Sequence, residues 1–198
     1  TGVTLSGNQS GNYTLVSGST LQASNGVILP KPVTLSAPTY TKVYDGTSSQ
    51  TPSSDDLNAW SAQLGISGKS VTNLTLTYDN KNVGTAKTLT PSAAVIADGN
   101  NGQNFDVTYV SNRTSSITQA SLVVNAASFT KVYDGDTSSL SSASYSGLQA
   151  GDTVQVTQAY ASANVLGVNA SRLVPRVVSL NDGNNGANYS VTLNEAPG

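Results

Sequence analysis

The sequence contains no cysteine, methionine or histidine among its 198 residues. Without cysteine the chain forms no disulfide, and without thiolate or imidazole groups it lacks the usual protein ligands of zinc. The absence of histidine removes the commonest general base of enzymes, and no nucleophile lies at a defined spacing from an acid or base. We therefore expect no catalytic and no cofactor-binding residues, and a protein that is not an enzyme.

Charge is also scarce, since only 10% of the residues are charged and the net charge is -2. No cluster of Lys and Arg interrupts the chain, so a phosphate backbone would find no basic surface, and we expect no nucleic-acid partner. No apolar run approaches the roughly 20 residues that a membrane-spanning helix needs, so we expect no membrane insertion. The sequence begins at Thr1 without a signal peptide, and we interpret it as a piece of a longer protein.

What the sequence does contain is an internal repeat, and repeats decide the architecture before any other pattern. The hexapeptide TKVYDG occupies residues 41–46 and recurs unchanged at residues 130–135. A second signature, G-N-[NQ]-[GS]-x-N-[YF], occurs three times, at residues 7–13, 99–105 and 183–189. The GN signature follows the YDG motif within a repeat, and three copies of the signature occur with only two copies of the YDG motif. We therefore predict that residues 1–31 are the last strands of a preceding repeat plus a linker, that residues 32–120 are the first full repeat, and that residues 121–198 are the second.

The hydrophobic pattern predicts an all-β fold. Apolar and polar residues alternate over residues 71–78, 105–110, 154–160 and 189–193, as in half-buried strands. Asn-Gly pairs at residues 101–102 and 185–186 favour the positive φ angles of a tight hairpin turn. We expect the aromatic residue after each turn to face the core together with the residue two positions later; these pairs are Tyr13 with Leu15, Phe105 with Val107, and Tyr189 with Val191.

One segment of the first full repeat has a helical pattern. Residues 54–65 begin with a capping residue and two acidic residues, and Leu57, Trp60 and Leu64 share one helical face. We expect Trp60 to pack this helix onto a sheet. The predicted fold is thus a tandem of small, mainly antiparallel β modules, with an immunoglobulin-like sandwich as the first choice and a β-grasp-like unit with one short helix as the alternative.

The YDG motif is predicted to be structural. Residues 40–44 alternate as a strand does, and the following Asp-Gly pair suits a turn, because Asp bonds its own backbone and Gly accepts positive φ. We therefore assign the two copies of the motif to the corners of their modules; they comprise Tyr44, Asp45, Gly46, Tyr133, Asp134 and Gly135.

The sequence leaves open a calcium site and two covalent modifications. The oxygen-rich loops at residues 98–102 and 182–186 resemble calcium loops, with Asp98, Asn100, Asp182 and Asn184 as weak candidate ligands, although one carboxylate per loop is little charge for calcium. Lys42 and Lys131 could form isopeptide cross-links, but we expect their stems to cover apolar surface and their ammonium groups to stay in water. Asn-x-Ser/Thr acceptor sites for N-glycosylation occur at residues 12, 73, 112 and 188.

The ordered set TKVYDGT, NVGT and GNY, followed by alternating strand residues, resembles the YDG-type repeat of large bacterial surface adhesins of the filamentous-haemagglutinin type. The resemblance covers both full repeats, with departures at Asp136, which follows the second YDG, and at Phe105, which replaces the tyrosine of GNY. It implies a secreted protein at the bacterial cell surface, whose repeats form a stalk or fibre that spaces an adhesive tip from the cell and contributes to cell adhesion or biofilm.

The partners implied are neighbouring repeats of the same chain, with other copies of the chain or surface glycans and proteins as further candidates. One alternative is that the repeats are themselves glycan-binding or protein-binding modules that use exposed Tyr and Asn. The other is self-assembly into a fibre by strand donation from residues 1–25, because strands separated from their module expose unpaired edges.

Overall fold

A computed structural model describes residues 27–198. The chain divides into two compact units, Thr1–Pro30 and Lys31–Gly198, and the account below concerns the second. The predicted preceding repeat, including Tyr13, Leu15 and the candidate donor strand of residues 1–25, lies outside the described residues. No helix in the described part of the chain is long and apolar enough to cross a membrane.

The second unit contains two successive modules built mostly of strands, so the all-β prediction is confirmed. The elements of the first module are β1 (Lys31–Ser36), β2 (Thr41–Val43), β3 (Ser49–Gln50), α1 (Ser54–Leu64), β4 (Ser70–Tyr78), β5 (Gly84–Ala97), β6 (Phe105–Val110) and β7 (Asn112–Thr118). The elements of the second are β8 (Ala120–Asn125), β9 (Ser144–Ser146), β10 (Thr153–Tyr160), β11 (Arg172–Asn181), β12 (Tyr189–Asn194) and β13 (Ala196–Pro197). Only Gln119 separates β7 from β8.

Most strand pairs are antiparallel, as predicted, but each module also has a parallel pair. In the first module the sheet order is β2-β7-β5-β4-β3, and β1 pairs separately with β6. In the second module the sheets are β10-β11-β13 and β12-β8-β9. The pairs β1–β6, β8–β12 and β2–β7 are parallel, and the other pairs are antiparallel.

The Asn-Gly turns have the predicted backbone angles, but the hairpins predicted around them are wrong. Asn101 and Gly102 have φ angles of 52° and 79°, and Asn185 and Gly186 have φ angles of 54° and 80°. The strand that leaves the turn, however, does not pair with the strand that enters it: β6 joins β1, and β12 joins β8. The reason is the length of the connection, because a loop longer than a two-residue turn lets the chain cross to the other sheet.

The helix α1 packs against β4 and β1, which is the feature that favours the β-grasp-like alternative. Its N-cap is Ser53, one residue earlier than predicted, and Gly65 ends it with a φ of 62°. Trp60 is only 2% exposed, and its indole N–H donates to the Ser36 carbonyl oxygen at 3.0 Å, so the prediction that Trp60 fixes the helix to the sheet is confirmed. No helix occurs in the second module within the described residues.

The aromatic residue after each turn faces the core, but the prediction for the second position fails in the second module. Phe105 and Tyr189 are buried, and Val107 packs against the core. Val191, in contrast, is 40% exposed. It lies on β12, which pairs only with β8 in its sheet.

The two modules share one hydrophobic cluster. Leu35, Trp60 and Leu89 from the first module belong to the same cluster as Leu122 and Tyr189 from the second. The linking residue Gln119 is held in place as well, since its side-chain amide donates to the carbonyl oxygens of Ala187 and Tyr189 at 3.1 and 3.0 Å. The junction between the modules is therefore packed and hydrogen-bonded.

Candidate functional site

The first YDG motif forms a corner directly after β2. Asp45 Oδ1 accepts the N–H and the hydroxyl of Thr47, both at 2.9 Å, and Gly46 has a φ of 80°. The ammonium of Lys42 donates to the same carboxylate oxygen at 2.8 Å. Burial raises the pKa of Asp45, but the hydrogen bonds from Lys42 and Thr47 outweigh it and lower that pKa below its ordinary value. The corner is thus a charge-assisted Asp turn, as the sequence pattern indicated.

The lysine of the motif is less hydrated than predicted. Only 12% of the Lys42 side chain is exposed, and the ammonium also donates to the carbonyl oxygens of Thr47 and Ser49, each at 2.9 Å. It lies 5.5 Å from the centroid of the Tyr78 ring, in cation–π range. The expectation that this ammonium stays in water is therefore wrong, because the YDG corner supplies enough acceptors to replace water.

The side chain of Tyr44 extends from the first module and contacts the second. It is 1% exposed, and its hydroxyl donates to Asp152 Oδ2 at 2.9 Å. The hydroxyl of Tyr189 donates to the same oxygen at 2.6 Å. The two tyrosine rings meet edge to face, with centroids 5.5 Å apart and an interplanar angle of 77°. This geometry is favourable for aromatic pairs, so the ring and the hydroxyl of Tyr44 both stabilise the junction.

A lysine of the first module completes the group around the carboxylate. Lys81 Nζ lies 3.2 Å from Asp152 Oδ1 and 5.6 Å from the centroid of the Tyr44 ring. Burial raises the pKa of Asp152, but hydrogen bonds from Tyr189, Tyr44 and Lys81 outweigh it and hold the pKa below its ordinary value. We refer to Tyr44, Lys81, Asp152 and Tyr189 as the Asp152 cluster.

A second set of contacts joins the NVG segment of the first module to the GN loop of the second. Asn188 is fully buried, and its side-chain oxygen accepts the N–H of Val83 at 2.9 Å. Its side-chain amide donates to Asn82 Oδ1 at 3.2 Å. Near the YDG corner, a Cβ on Gly46 would lie 2.9 Å from the Ala150 carbonyl oxygen, so only glycine allows this approach. The acceptor site at Asn188 is buried here and could not carry a glycan while these contacts last.

The two GN loops, residues 98–104 and 182–188, are each organised by one aspartate. Asp98 accepts the N–H groups of Asn100 and Gly102 on one oxygen and that of Asn104 on the other. These bonds, that of Gly102 first, lower the pKa of Asp98.

Asp182 repeats this arrangement with Asn184, Gly186 and Asn188. Burial raises the pKa of Asp182, but the three backbone donors outweigh this effect and hold the pKa below its ordinary value. Both candidate calcium carboxylates thus face backbone donors.

The amide groups of the other two calcium candidates are also engaged. Asn100 donates to Asn104 Oδ1 at 3.2 Å, and Asn184 donates to Asn188 Oδ1 at 3.0 Å. The described residues contain no group of three or more acidic, His or Cys side chains that could hold a metal ion. The loops act as hydrogen-bonded turns in this structure, and calcium binding remains an untested prediction.

The comparisons with known proteins identify the modules. A model of the YDG domain matches residues 29–114 and residues 118–197. The chain belongs to the YDG domain family. Neither the curated proteins nor the solved structures contain a significant match. The two matches correspond to the two modules, so the contacts described above join one YDG domain to the next.

The YDG motif of the second domain makes the same corner. Gly135 has a φ of 82°, and Lys131 pairs with Asp134 and Asp136 at 2.7 Å each. Hydrogen bonds from Lys131 and Ser138 lower the pKa of Asp136 far below its ordinary value. Tyr133, the counterpart of Tyr44, is 64% exposed. The motif thus makes its turn in both YDG domains, but Tyr44 is buried against the other domain and Tyr133 is exposed.

The Asp152 cluster was not foreseen from the sequence. The pattern marked Tyr44 as a corner residue but gave no partner for it, and Lys81 and Asp152 were not singled out. A signal was available in the comparison of repeats, since the segment Gly151-Asp152-Thr153 corresponds to Gly68-Lys69-Ser70 in the first domain. An aspartate that replaces a lysine directly before a core strand marks a position where the repeats differ in contacts.

Proposed function

We propose that these two YDG domains are spacer modules in the stalk of a secreted bacterial surface adhesin, where they hold an adhesive region away from the cell. The observation that carries the proposal is the junction between the domains. A spacer must transmit its direction from one module to the next, and a single linking residue with a buried contact surface restricts independent motion of neighbouring modules. The remaining support is the family membership and the small number of charged residues.

The contacts at the junction are typical of a structural site and not of a catalytic one. Asp152 receives two hydroxyl donors and one ammonium, so three of its roughly four acceptor positions are occupied by groups of the protein itself. The nearest titratable neighbours are tyrosines, and burial is the main cause that raises the pKa of Tyr44 and of Tyr189. Neutral hydroxyls that donate to an ionised carboxylate form strong, static bonds. We therefore propose a non-catalytic role for this cluster.

The rigidity of the junction can be tested with residual dipolar couplings of the backbone amides in a weakly aligned sample. If the domains move as one body, both report the same alignment tensor. In Asp152→Ala, which removes the acceptor of three donors, the two tensors should differ. Asp106→Ala, which removes an exposed aspartate on β6, is the matched control and should leave them equal. Different tensors in the unchanged protein would exclude a stiff spacer.

The proposed location needs a separate test. An antiserum against the chain should label intact cells of the source bacterium, and mild protease treatment of those cells should remove the label. Labelling that appears only after lysis would contradict the surface location.

Direct recognition of glycans or proteins by the repeats is the competing function. A glycan array probed with the chain decides between the two, and we expect no binding that depends on Tyr133 or Tyr145, the exposed tyrosines of the second domain.

A further inference from the structure

The Asn-Gly pairs of the two GN loops have the sequence that is most prone to spontaneous deamidation. In such a pair the glycine nitrogen attacks the side-chain carbonyl carbon of the asparagine, because glycine has no side chain to obstruct the approach. The new N–C bond closes a succinimide ring, and the side-chain nitrogen leaves as ammonia. Water then opens the ring to aspartate or isoaspartate. The pairs in the loops are Asn101-Gly102 and Asn185-Gly186; a further pair, residues 25–26, lies outside the described residues.

The turn in each loop requires this pair in spite of its reactivity. Asn101 and Asn185 both have positive φ angles, and so do the glycines that follow them. Two successive positive φ angles are tolerated best by Asn followed by Gly. Both asparagines are exposed, so water and hydroxide reach them. The fold therefore places a reactive sequence where the reaction could proceed.

In both loops a carboxylate binds the nitrogen that would attack. The N–H of Gly102 donates to Asp98 Oδ1 at 2.9 Å, and the N–H of Gly186 donates to Asp182 Oδ1 at the same distance. Both carboxylates are buried, so water competes little for these bonds. Each carboxylate is ionised at neutral pH, because its pKa lies below the ordinary value. The two glycine N–H groups thus make charge-assisted hydrogen bonds, which are stronger than neutral ones.

We propose that Asp98 and Asp182 protect Asn101 and Asn185 from deamidation. An amide nitrogen becomes a nucleophile only after it loses its proton. Next to an ionised carboxylate this loss is unfavourable, because the nitrogen anion would face a second negative charge, and a carboxylate of low pKa is too weak a base to take the proton itself. The nitrogen must also leave the carboxylate to approach the side-chain carbon. Deamidation therefore requires the loop to open first.

Damage to the second loop would reach the junction between the domains. Isoaspartate at residue 185 would lengthen the backbone three positions before Asn188, whose side-chain oxygen accepts the N–H of Val83 at 2.9 Å. The N–H of Tyr189 donates to the Gly186 carbonyl oxygen at 3.2 Å, so the start of β12 would shift as well. The protection by Asp182 thus also preserves contacts of the junction, but it follows from the geometry of the loop and does not depend on the spacer role.

The test measures deamidation of the full chain in mildly alkaline buffer by peptide mapping with mass spectrometry and isoaspartate detection. In the unchanged protein, Asn101 and Asn185 should react more slowly in the folded state than in urea. Asp98→Ala should accelerate the reaction at Asn101 by roughly 10- to 150-fold, the ratio that corresponds to the net strength of a hydrogen bond to a charged group, and should leave Asn185 unchanged. Asp182→Ala should do the reverse, so each variant is the matched control of the other.

A second measurement needs no variant and covers the case that a variant does not fold. Hydrogen exchange of the Gly102 and Gly186 amides also requires the N–H to leave its carboxylate and lose its proton. The factor by which folding slows this exchange, measured by NMR, should therefore match the factor by which folding slows deamidation of the preceding asparagine. Slow deamidation beside a glycine amide that exchanges as fast as in urea would overturn the proposal.

Two results with folded variants would overturn it as well. Unchanged rates at both asparagines would show that the carboxylates give no protection, and equal acceleration at both sites in either variant would show general loosening instead of local protection. Circular dichroism and Trp60 fluorescence establish that the variants are folded. The dipolar couplings of the unchanged protein are independent of all these rates, so failure here is distinguishable from failure of the spacer role.

Discussion

A comparison of Gly46→Ala with Gly135→Ala separates the energetic cost of strain in the YDG turn from the cost of disturbing the contact between the domains. The two glycines have nearly equal φ angles, 80° and 82°, so either substitution places an L side chain in the left-handed region. That conformation costs about 1–2 kcal/mol per residue. At Gly135 nothing lies within 4 Å of the added Cβ, so this strain is the whole expected loss.

At Gly46 the added Cβ would lie 2.9 Å from the Ala150 carbonyl oxygen, which belongs to the backbone of the second domain. The backbone must shift to relieve this contact, and such overpacking costs about 1–3 kcal/mol. We therefore expect Gly46→Ala to lower the free energy of unfolding by about 2–5 kcal/mol, the sum of the turn strain and the overpacking. The loss for Gly135→Ala is smaller by the overpacking part.

Urea unfolding measures both losses. Trp60 is the only tryptophan, so its fluorescence follows the first domain, whereas far-ultraviolet circular dichroism follows both. In circular dichroism, which follows both domains, Gly46→Ala should show a larger loss than Gly135→Ala. Equal losses in the two variants would refute the reasoning, because the contact with Ala150 would then contribute nothing.

Three further predictions follow from the same contacts. The pKa of Asp152 is lower in the folded protein than its ordinary value, so the ionised carboxylate stabilises the fold fully above about pH 4. This stabilisation is lost as pH falls through the folded pKa. Asp152→Asn should therefore reduce the acid dependence of unfolding measured by circular dichroism. Asp182→Ala leaves three backbone N–H groups without their acceptor and should cost about 1–3 kcal/mol or more; it should also loosen the junction in dipolar-coupling measurements, whereas Asp98→Ala should not. Ser53→Ala removes the N-cap of α1 and should cost about 1 kcal/mol in urea unfolding followed by Trp60 fluorescence.

Local features of the fold could be predicted from the sequence because they depend on short-range patterns. The alternation over residues 71–78 gave β4, and the spacing of Leu57, Trp60 and Leu64 gave the helix and its buried face. The Asp-Gly and Asn-Gly pairs gave the positive φ angles at Gly46 and Gly102. Each of these features is determined by residues within one turn or one strand.

Strand pairing and the junction could not be predicted, because they depend on contacts distant in sequence. The pairing of β1 with β6 requires the chain to cross between sheets after the GN loop, and a turn motif does not specify the destination of the next strand. Tyr44 and Asp152 are separated by 108 positions, and the local pattern around each residue does not indicate the other as its partner. Val107 and Val191 have the same place in the sequence pattern, yet only Val107 packs against the core, so alternation alone does not determine which of them is buried.

The parallel pairing of strands near the two ends of each domain has a mechanical consequence. In the first domain β1 and β6 align residue by residue from Lys31 opposite Phe105 to Ser36 opposite Val110, and β8 and β12 do the same from Ala120 opposite Tyr189. A pull on opposite ends of two parallel strands slides one along the other, so the tension loads all their backbone hydrogen bonds together in shear instead of opening them one at a time. Each YDG domain therefore has a geometry that resists stretching along the chain.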